Sequence, residues 1–281
     1  MSTLPCKATV AAALSLASLG ALADGDRYVL MMKSDAIPAN LARTVQQAGG
    51  TLVRTLPQVG IAIAVSNDPR FAAAIARDAR LASVGPAAAN ALPTTAEAPA
   101  ALTAPTAVDD LYLNGLLWGI DRVNAPEAWA LGYTGSHDTV VAVIDTGIAS
   151  NHPDLRPNLV YEACFVSTGD HTTGACMPYP SFSDHGTHVA GTVAAAFGGG
   201  RVVGVAPNAG LAGYNTFEPI EGCGVCTYGD SRWAAMIDAA DGGFDVINMS
   251  LGSLVARGGR GTNELSTYMA ADRKVAGYVL K

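Results

Sequence analysis

The chain has 281 residues, 49% of them apolar and 15% charged, with a formal net charge of −7. That apolar content sustains a sizeable core and excludes general disorder, and the length suits one large domain or two smaller ones. From Leu111 onward there are 16 Asp+Glu against 9 Lys+Arg; a nucleic-acid partner demands a basic face, so none is expected.

Residues 1–23 have the form of a secretory signal. Lys7 and the amino terminus make a positive end, residues 8–22 are apolar, and Ala21-Leu22-Ala23 fits the small-x-small cleavage pattern. The apolar stretch falls short of the ~20 residues of a membrane span. We therefore expect an exported protein without a membrane span, the alternative being an uncleaved anchor. Cleavage leaves Cys164, Cys176, Cys223 and Cys226. An even number in an exported chain suggests two disulfides, with local pairing, Cys164–Cys176 and Cys223–Cys226, favoured among three connectivities. The rival is a zinc site built from Cys223, Cys226, His185 and His188.

Residues 24–86 read as a small α+β unit. Strands are predicted at 28–32, 51–56, 60–65 and 81–84, and helices at 38–48 and 69–78. The order β-α-β-β-α-β is ferredoxin-like. Residues 87–106 are almost all Ala, Pro and Thr and lack the large apolar surface needed to order themselves; 87–110 is expected to be an exposed linker and processing region.

The composition changes at Leu111. Trp118 and Trp129 are expected as packing anchors. Residues 139–144 form a continuous apolar run of strand length, the mark of a parallel strand covered on both faces. Asp145 stands at its carboxyl end, where open α/β sheets bind ligands. Residues 151–184 read as irregular. The small and apolar run from His185 to Phe197 reads as a buried helix with His185 at its head. Further on, a strand is predicted at 211–216 and a helix running to Ala240, capped by Asp230 or Ser231. A strand at 245–249 leads into Ser250-Leu251-Gly252, a helix covers 264–273, and a strand opens at 278–280. Alternating strands and helices predict an α/β fold with a doubly wound parallel sheet over 111–281.

Three motifs coincide: Asp145 in Val-Ile-Asp-Thr-Gly, His185 in Asp-His-Gly-Thr-His-Val-Ala-Gly, and Asn-Met-Ser-Leu-Gly at 248–252. Together they resemble the subtilisin-like serine proteases. Asp-Thr-Gly also marks aspartic proteases, but those need two such carboxylates, and the chain has one Asp-Thr-Gly. The resemblance implies a subtilisin-like sheet preceded by an inhibitory pro-domain at 24–86. It makes His185 the general base and Asp145 its partner, in the chain order Asp then His. His188 corresponds to the family's second histidine and is expected to be structural. Ser250, Leu251 and Gly252 correspond to the segment that pairs with extended substrate. Polypeptides are the implied substrates, and the N-terminal unit is the implied intramolecular inhibitor and chaperone. The complete enzyme would be a monomer. No cofactor is required; calcium is possible, but no acidic loop is dense enough to assign a site.

The family's nucleophile sits in Gly-Thr-Ser-Met-Ala, after an Ala-Gly-Asn segment whose Asn donates to the oxyanion. Neither occurs in these 281 residues. Ser266-Thr-Tyr-Met-Ala270 lacks the preceding Gly-Thr and comes too early in the topology. The expectation is the N-terminal portion of a secreted protease, inactive alone and with an open strand edge. The alternatives are a non-catalytic secreted inhibitor acting through 24–86 and a metal-dependent hydrolase.

Overall fold

The computed structural model describes residues 26–91, 109–167, 169–172, 183–252 and 266–281. The expected signal, most of the linker and Cys176 lie outside these residues. Its first unit follows the predicted order: β1 (Asp26–Met32), α1 (Leu41–Gln47), β2 (Thr51–Leu56), β3 (Ile61–Ser66), α2 (Phe71–Ile75) and β4 (Leu81–Pro86). The antiparallel sheet has the order β2-β3-β1-β4. Its strands are apolar at successive positions because both faces are covered. Leu30, Ala62 and Ala64 meet Leu41, Val45 and Phe71 on one side. Val29, Ile61 and Ile63 point the other way, into the second unit. A period of two divides one apolar run between two cores.

The chain then makes β5 (Ala89–Ala91) and three short helices, α3 (Asp110–Leu113), α4 (Trp118–Arg122) and α5 (Ala125–Ala130). Next come β6 (Val140–Asp145), β7 (Leu159–Val166), β8 (Gly169–Thr172) and α6 (His185–Ala194). β9 (Gly210–Asn215), the hairpin β10 (Glu218–Ile220) and β11 (Gly224–Tyr228), and α7 (Gly229–Asp241) follow, then β12 (Val246–Asn248) and α8 (Ser266–Val279). The main sheet has the order β12-β6-β9-β7-β8. β12, β6, β9 and β7 are mutually parallel, and β8 adds an antiparallel edge. A third sheet has the order β10-β11-β5.

The central strand β6 shows how the layers form. Val141 and Val143 pack with Ala190 and Ala194 of α6. Ala142 and Ile144 pack with Trp233, Ile237, Tyr268 and Val275 of α7 and α8. One helix covers one face, and two helices, backed by the N-terminal unit, cover the other.

Several expectations are corrected. Residues 151–184 are not wholly irregular, since they contain β7 and β8; β7 gains its hydrogen bonds from β9, which no local pattern reveals. Residues 278–280 do not open a strand. α8 runs to Val279 because Tyr268, Ala271, Val275 and Tyr278 recur at helical spacing against one core, which overrides the β-propensity of Tyr-Val-Leu. Residues 89–91 are a paired strand rather than exposed linker. Trp118 is 73% exposed rather than packed as an anchor. Trp129 does pack, edge-on to Tyr112 and Phe197, and its indole N–H donates to Val205 O at 2.9 Å. Neither Asp230 nor Ser231 caps α7, whose N-cap position is Tyr228.

Asp230 is fully buried in the first turn of α7. Arg27 of β1 binds it with two N–H groups, at 3.0 and 2.7 Å. Arg54 of β2 reaches it at 2.5 Å and also donates to Val166 O at 2.7 Å. The helix N-terminus adds favourable potential for the anion. Burial acts to raise the Asp230 pKa; the attraction and hydrogen bonding of Arg27, with Arg54, outweigh it and hold the carboxyl below its ordinary range. A depressed folded-state pKa contributes stability above the unfolded value, and that stability is lost as pH falls through the folded one. Asp230→Ala, which leaves two guanidinium groups without their carboxylate, is expected to cost about 3–5 kcal/mol of unfolding free energy, measured by urea denaturation. The wild-type advantage over Asp230→Asn should shrink below about pH 4.

Candidate active site

Asp145 is the last residue of β6, and its parity decides its direction. It lies two residues beyond Val143, so its side chain turns to the α6 face. His185 is the first residue of α6. The two meet: Asp145 Oδ1 lies 2.8 Å from His185 Nδ1. Asp145 is fully buried, and the His185 side chain is 13% exposed.

The close approach depends on glycine. A Cβ on Gly186 would lie 2.4 Å from Gly147 O and 3.1 Å from Asp145 Cβ. Real Cβ atoms do not come so close to backbone, so only glycine lets the head of α6 reach the end of β6. Polar bonds hold the junction. Thr146 N–H donates to Asp145 Oδ1 at 2.7 Å, and Gly186 N–H donates to Thr146 Oγ1 at 2.9 Å. Ala149 N–H donates to Thr187 Oγ1 at 2.9 Å. On the strand side, Thr216 N–H donates to the Asp145 carbonyl at 2.9 Å. Among the described residues Asp145 Oδ2 has no partner.

This arrangement fixes a tautomer. A buried carboxylate accepts the Nδ1 proton, which leaves a lone pair on Nε2. Such an imidazole can take a proton from a hydroxyl, and Asp145 offsets the charge it gains. His188, one turn further on, is exposed and takes no part in that bond.

The segment Ser250-Leu251-Gly252 leaves β12 at the same end of the sheet. Asn248 is level with Val143 in the parallel register, which carries Ser250 level with Asp145. Ser250 Oγ donates to Asn248 Oδ1 at 3.0 Å. Gly252 is exposed, and among the described residues nothing lies within 4 Å of where its Cβ would stand. β12 is the edge strand, and Val246 is 47% exposed. Ser266 lies in α8, on the sheet face opposite α6. Among the described residues no serine hydroxyl bonds the His185 ring.

A second edge escaped the sequence reading. β11 pairs antiparallel with β5, so a chain segment from the N-terminal side already lies along it. The hairpin before β11 is closed by the disulfide Cys223–Cys226. That bond commits both sulfurs and leaves no thiolates for the zinc alternative. Cys164 is buried in β7; its expected partner, Cys176, lies outside the described residues. No local alternation marks β11; residues Gly224–Tyr228 form a strand through their pairing with β10 and β5.

Among the described residues no group of three or more His, Cys, Asp or Glu side chains stands ready for a metal. Asp154 Oδ1 is buried without a partner, but its Oδ2 already accepts the amides of Arg201 and Val202. One half-used carboxylate is not the oxygen cage calcium needs. Also among them, no helix is long and apolar enough to cross a membrane.

Comparisons with known proteins agree with this geometry. The Subtilase family model matches residues 136–279. Subtilisin E of Bacillus subtilis (strain 168) is 39% identical over 145 residues, covering 50% of this chain and 34% of that protein. Minor extracellular protease Vpr of the same organism is 42% identical over 135 residues, covering 47% and 16%. The chain thus spans about a third or less of the length of these two relatives. The crystal structure of fervidolysin from Fervidobacterium pennivorans, described as a keratinolytic enzyme related to subtilisin, aligns with a TM-score of 0.62 at 23% identity. That alignment covers 92% of this chain and 40% of the other. The epidermin leader peptide processing serine protease of Staphylococcus aureus gives 0.63 at 20% identity, covering 91% and 58%. At those identities the structural likeness speaks for the fold.

Gly186→Ala is expected to lower stability by about 1–3 kcal/mol, as overpacking does. It should also weaken the Asp145–His185 bond, seen as loss of the downfield Nδ1–H proton signal in NMR spectra.

Proposed function

Because this chain belongs to the subtilase family, we propose that it carries the Asp–His part of a serine endopeptidase's proton relay, with Asp145 orienting His185 as general base. The observation that carries this reading is the 2.8 Å bond between a fully buried carboxylate and Nδ1 of a partly exposed imidazole. A serine hydroxyl presented to Nε2 would lose its proton as its oxygen attacked the peptide carbonyl. The imidazolium, held by Asp145, would return that proton to the departing amine.

Substrates are extended polypeptides, added as a strand between β11 and the segment Ser250–Leu251–Gly252. Residues 24–86 act as the pro-domain. Their sheet seats on α7, where Arg27 and Arg54 bind Asp230, and packs its apolar face against α8, and β5 lies on β11 as a substrate strand would. Such a segment, bound covalently at high effective concentration, excludes other peptides. Residues 1–23 direct export, which suits a Cys223–Cys226 disulfide formed in an oxidising compartment.

Residues 1–281 contain no Gly-Thr-Ser-Met-Ala segment, so we assign these residues the relay's Asp–His pair and not its nucleophile. Fluorophosphonate should not label them; a labelled serine would refute that assignment. Joined to the C-terminal portion of a subtilase carrying that segment, the chain should label and cleave casein. His185→Ala should then lower turnover on the order of 10⁶-fold, as loss of the base does in subtilisin. Turnover that survives the substitution removes His185 from the role.

A further inference from the structure

β5 contributes more than backbone pairing. Its register sets Ala91, Asn90 and Ala89 opposite Cys226, Thr227 and Tyr228. Gly229 N–H donates to Ala88 O, so the antiparallel alternation puts Asn90 in the hydrogen-bonded register with Thr227. Its side chain turns inward and is only 3% exposed, whereas Ala91 is exposed.

A buried carboxamide needs a partner. Asn90 Nδ2 donates to the Tyr268 hydroxyl at 3.1 Å. That oxygen is itself held. Arg232 Nη2 donates to it at 3.1 Å and to Asp272 Oδ1 at 2.6 Å. Asp272 Oδ1 also accepts the Trp233 indole N–H at 2.8 Å. The Tyr268 and Trp233 rings pack 5.1 Å apart. Gly229 makes room for the phenol: a Cβ there would lie 2.4 Å from the Tyr268 ring and 2.8 Å from its oxygen. All of these groups come from α7 and α8, and none of them from β5. The proposed proton relay uses none of them.

We infer that Tyr268, positioned by Arg232 and Asp272, forms a subsite beneath β11 that selects an asparagine side chain in a polypeptide laid along that strand. The inference rests on the strand-addition reading above, with β5 as the resident example. The phenol oxygen takes one N–H from Arg232 and offers its second lone pair to the incoming side chain, so the subsite favours a neutral donor. A leucine would bury that lone pair unpaired. An aspartate would bring a second anion to a guanidinium that Asp272 already neutralises. Asparagine is short enough to turn down from the strand and donate.

The test uses the full chain carrying Asn90→Pro, which removes the resident strand's side chain and its ladder N–H. Dye-labelled peptides of residues 86–94, with Asn, Leu or Asp at position 90, are titrated in by fluorescence anisotropy. The Asn peptide should bind about tenfold more tightly than the other two, the value of roughly one net hydrogen bond. The advantage should vanish when Tyr268→Phe is added, a change that keeps the ring. Equal binding of all three peptides to the Asn90→Pro chain overturns the subsite and leaves strand addition standing. Binding by none of them overturns strand addition, and the subsite with it. In the chain that keeps its own β5, Tyr268→Phe should speed amide exchange at Asn90 about tenfold; unchanged exchange also overturns the subsite.

Discussion

A strand covered on both faces must divide its side chains between two cores, and β6 does so residue by residue. Val141 and Val143 go to α6, and Ala142 and Ile144 to α7 and α8. Asp145 continues the first series at the point where the strand ends. The constraint that makes β6 wholly apolar therefore also aims its one carboxylate at α6. A shift of one residue in register would turn Asp145 toward α7 and α8, away from His185. Gly186 completes the junction, since no other residue lets the helix come within reach.

Among the described residues two carboxylates, Asp145 and Asp230, are completely buried, and their surroundings differ. Asp230 sits between two guanidinium groups and a helix N-terminus, all permanently positive or fixed in direction. It locks the N-terminal sheet to α7. Asp145 has one backbone N–H and an imidazole. The first carboxylate is held from three sides, and the second keeps Oδ2 without a partner among the described residues.

Strand addition gives the N-terminal unit and its surroundings a common logic. β11 has β10 on one edge and β5 on the other, with the Cys223–Cys226 bridge closing the hairpin that presents it. Backbone bonds along β11 depend little on the sequence of the strand that pairs with it, whereas an inward side chain of β5 meets α8. Asn90 turns inward, to a phenol oriented by an ion pair.

The residues that lie close in sequence were legible. The βαββαβ order of the first unit, the buried run at 139–144 and the helix behind His185 all follow from local periodicity. Asp145 and His185 were recognisable because each stands in a motif that announces its own turn or helix start. What lay outside the sequence's reach depends on distant partners. β7 is held by β9, and its sequence, interrupted by Glu162 at its centre, reads as loop without that neighbour. Tyr278 continues a helix because Tyr268, Ala271 and Val275 have already set the face that packs. β5 sits in an Ala-Pro-Thr region with no strand signal and is a strand because β11 offers it an edge. The sequence by itself determined that Asp145 ends an apolar run, that His185 heads a small-residue helix, and in what order the two stand along the chain. Only the tertiary structure decided that Asp145 and His185 meet, that Asp230 binds Arg27 and Arg54 rather than capping α7, and that Asn90 lies under β11. Those contacts join residues 40 to 203 positions apart, and no local pattern encodes them.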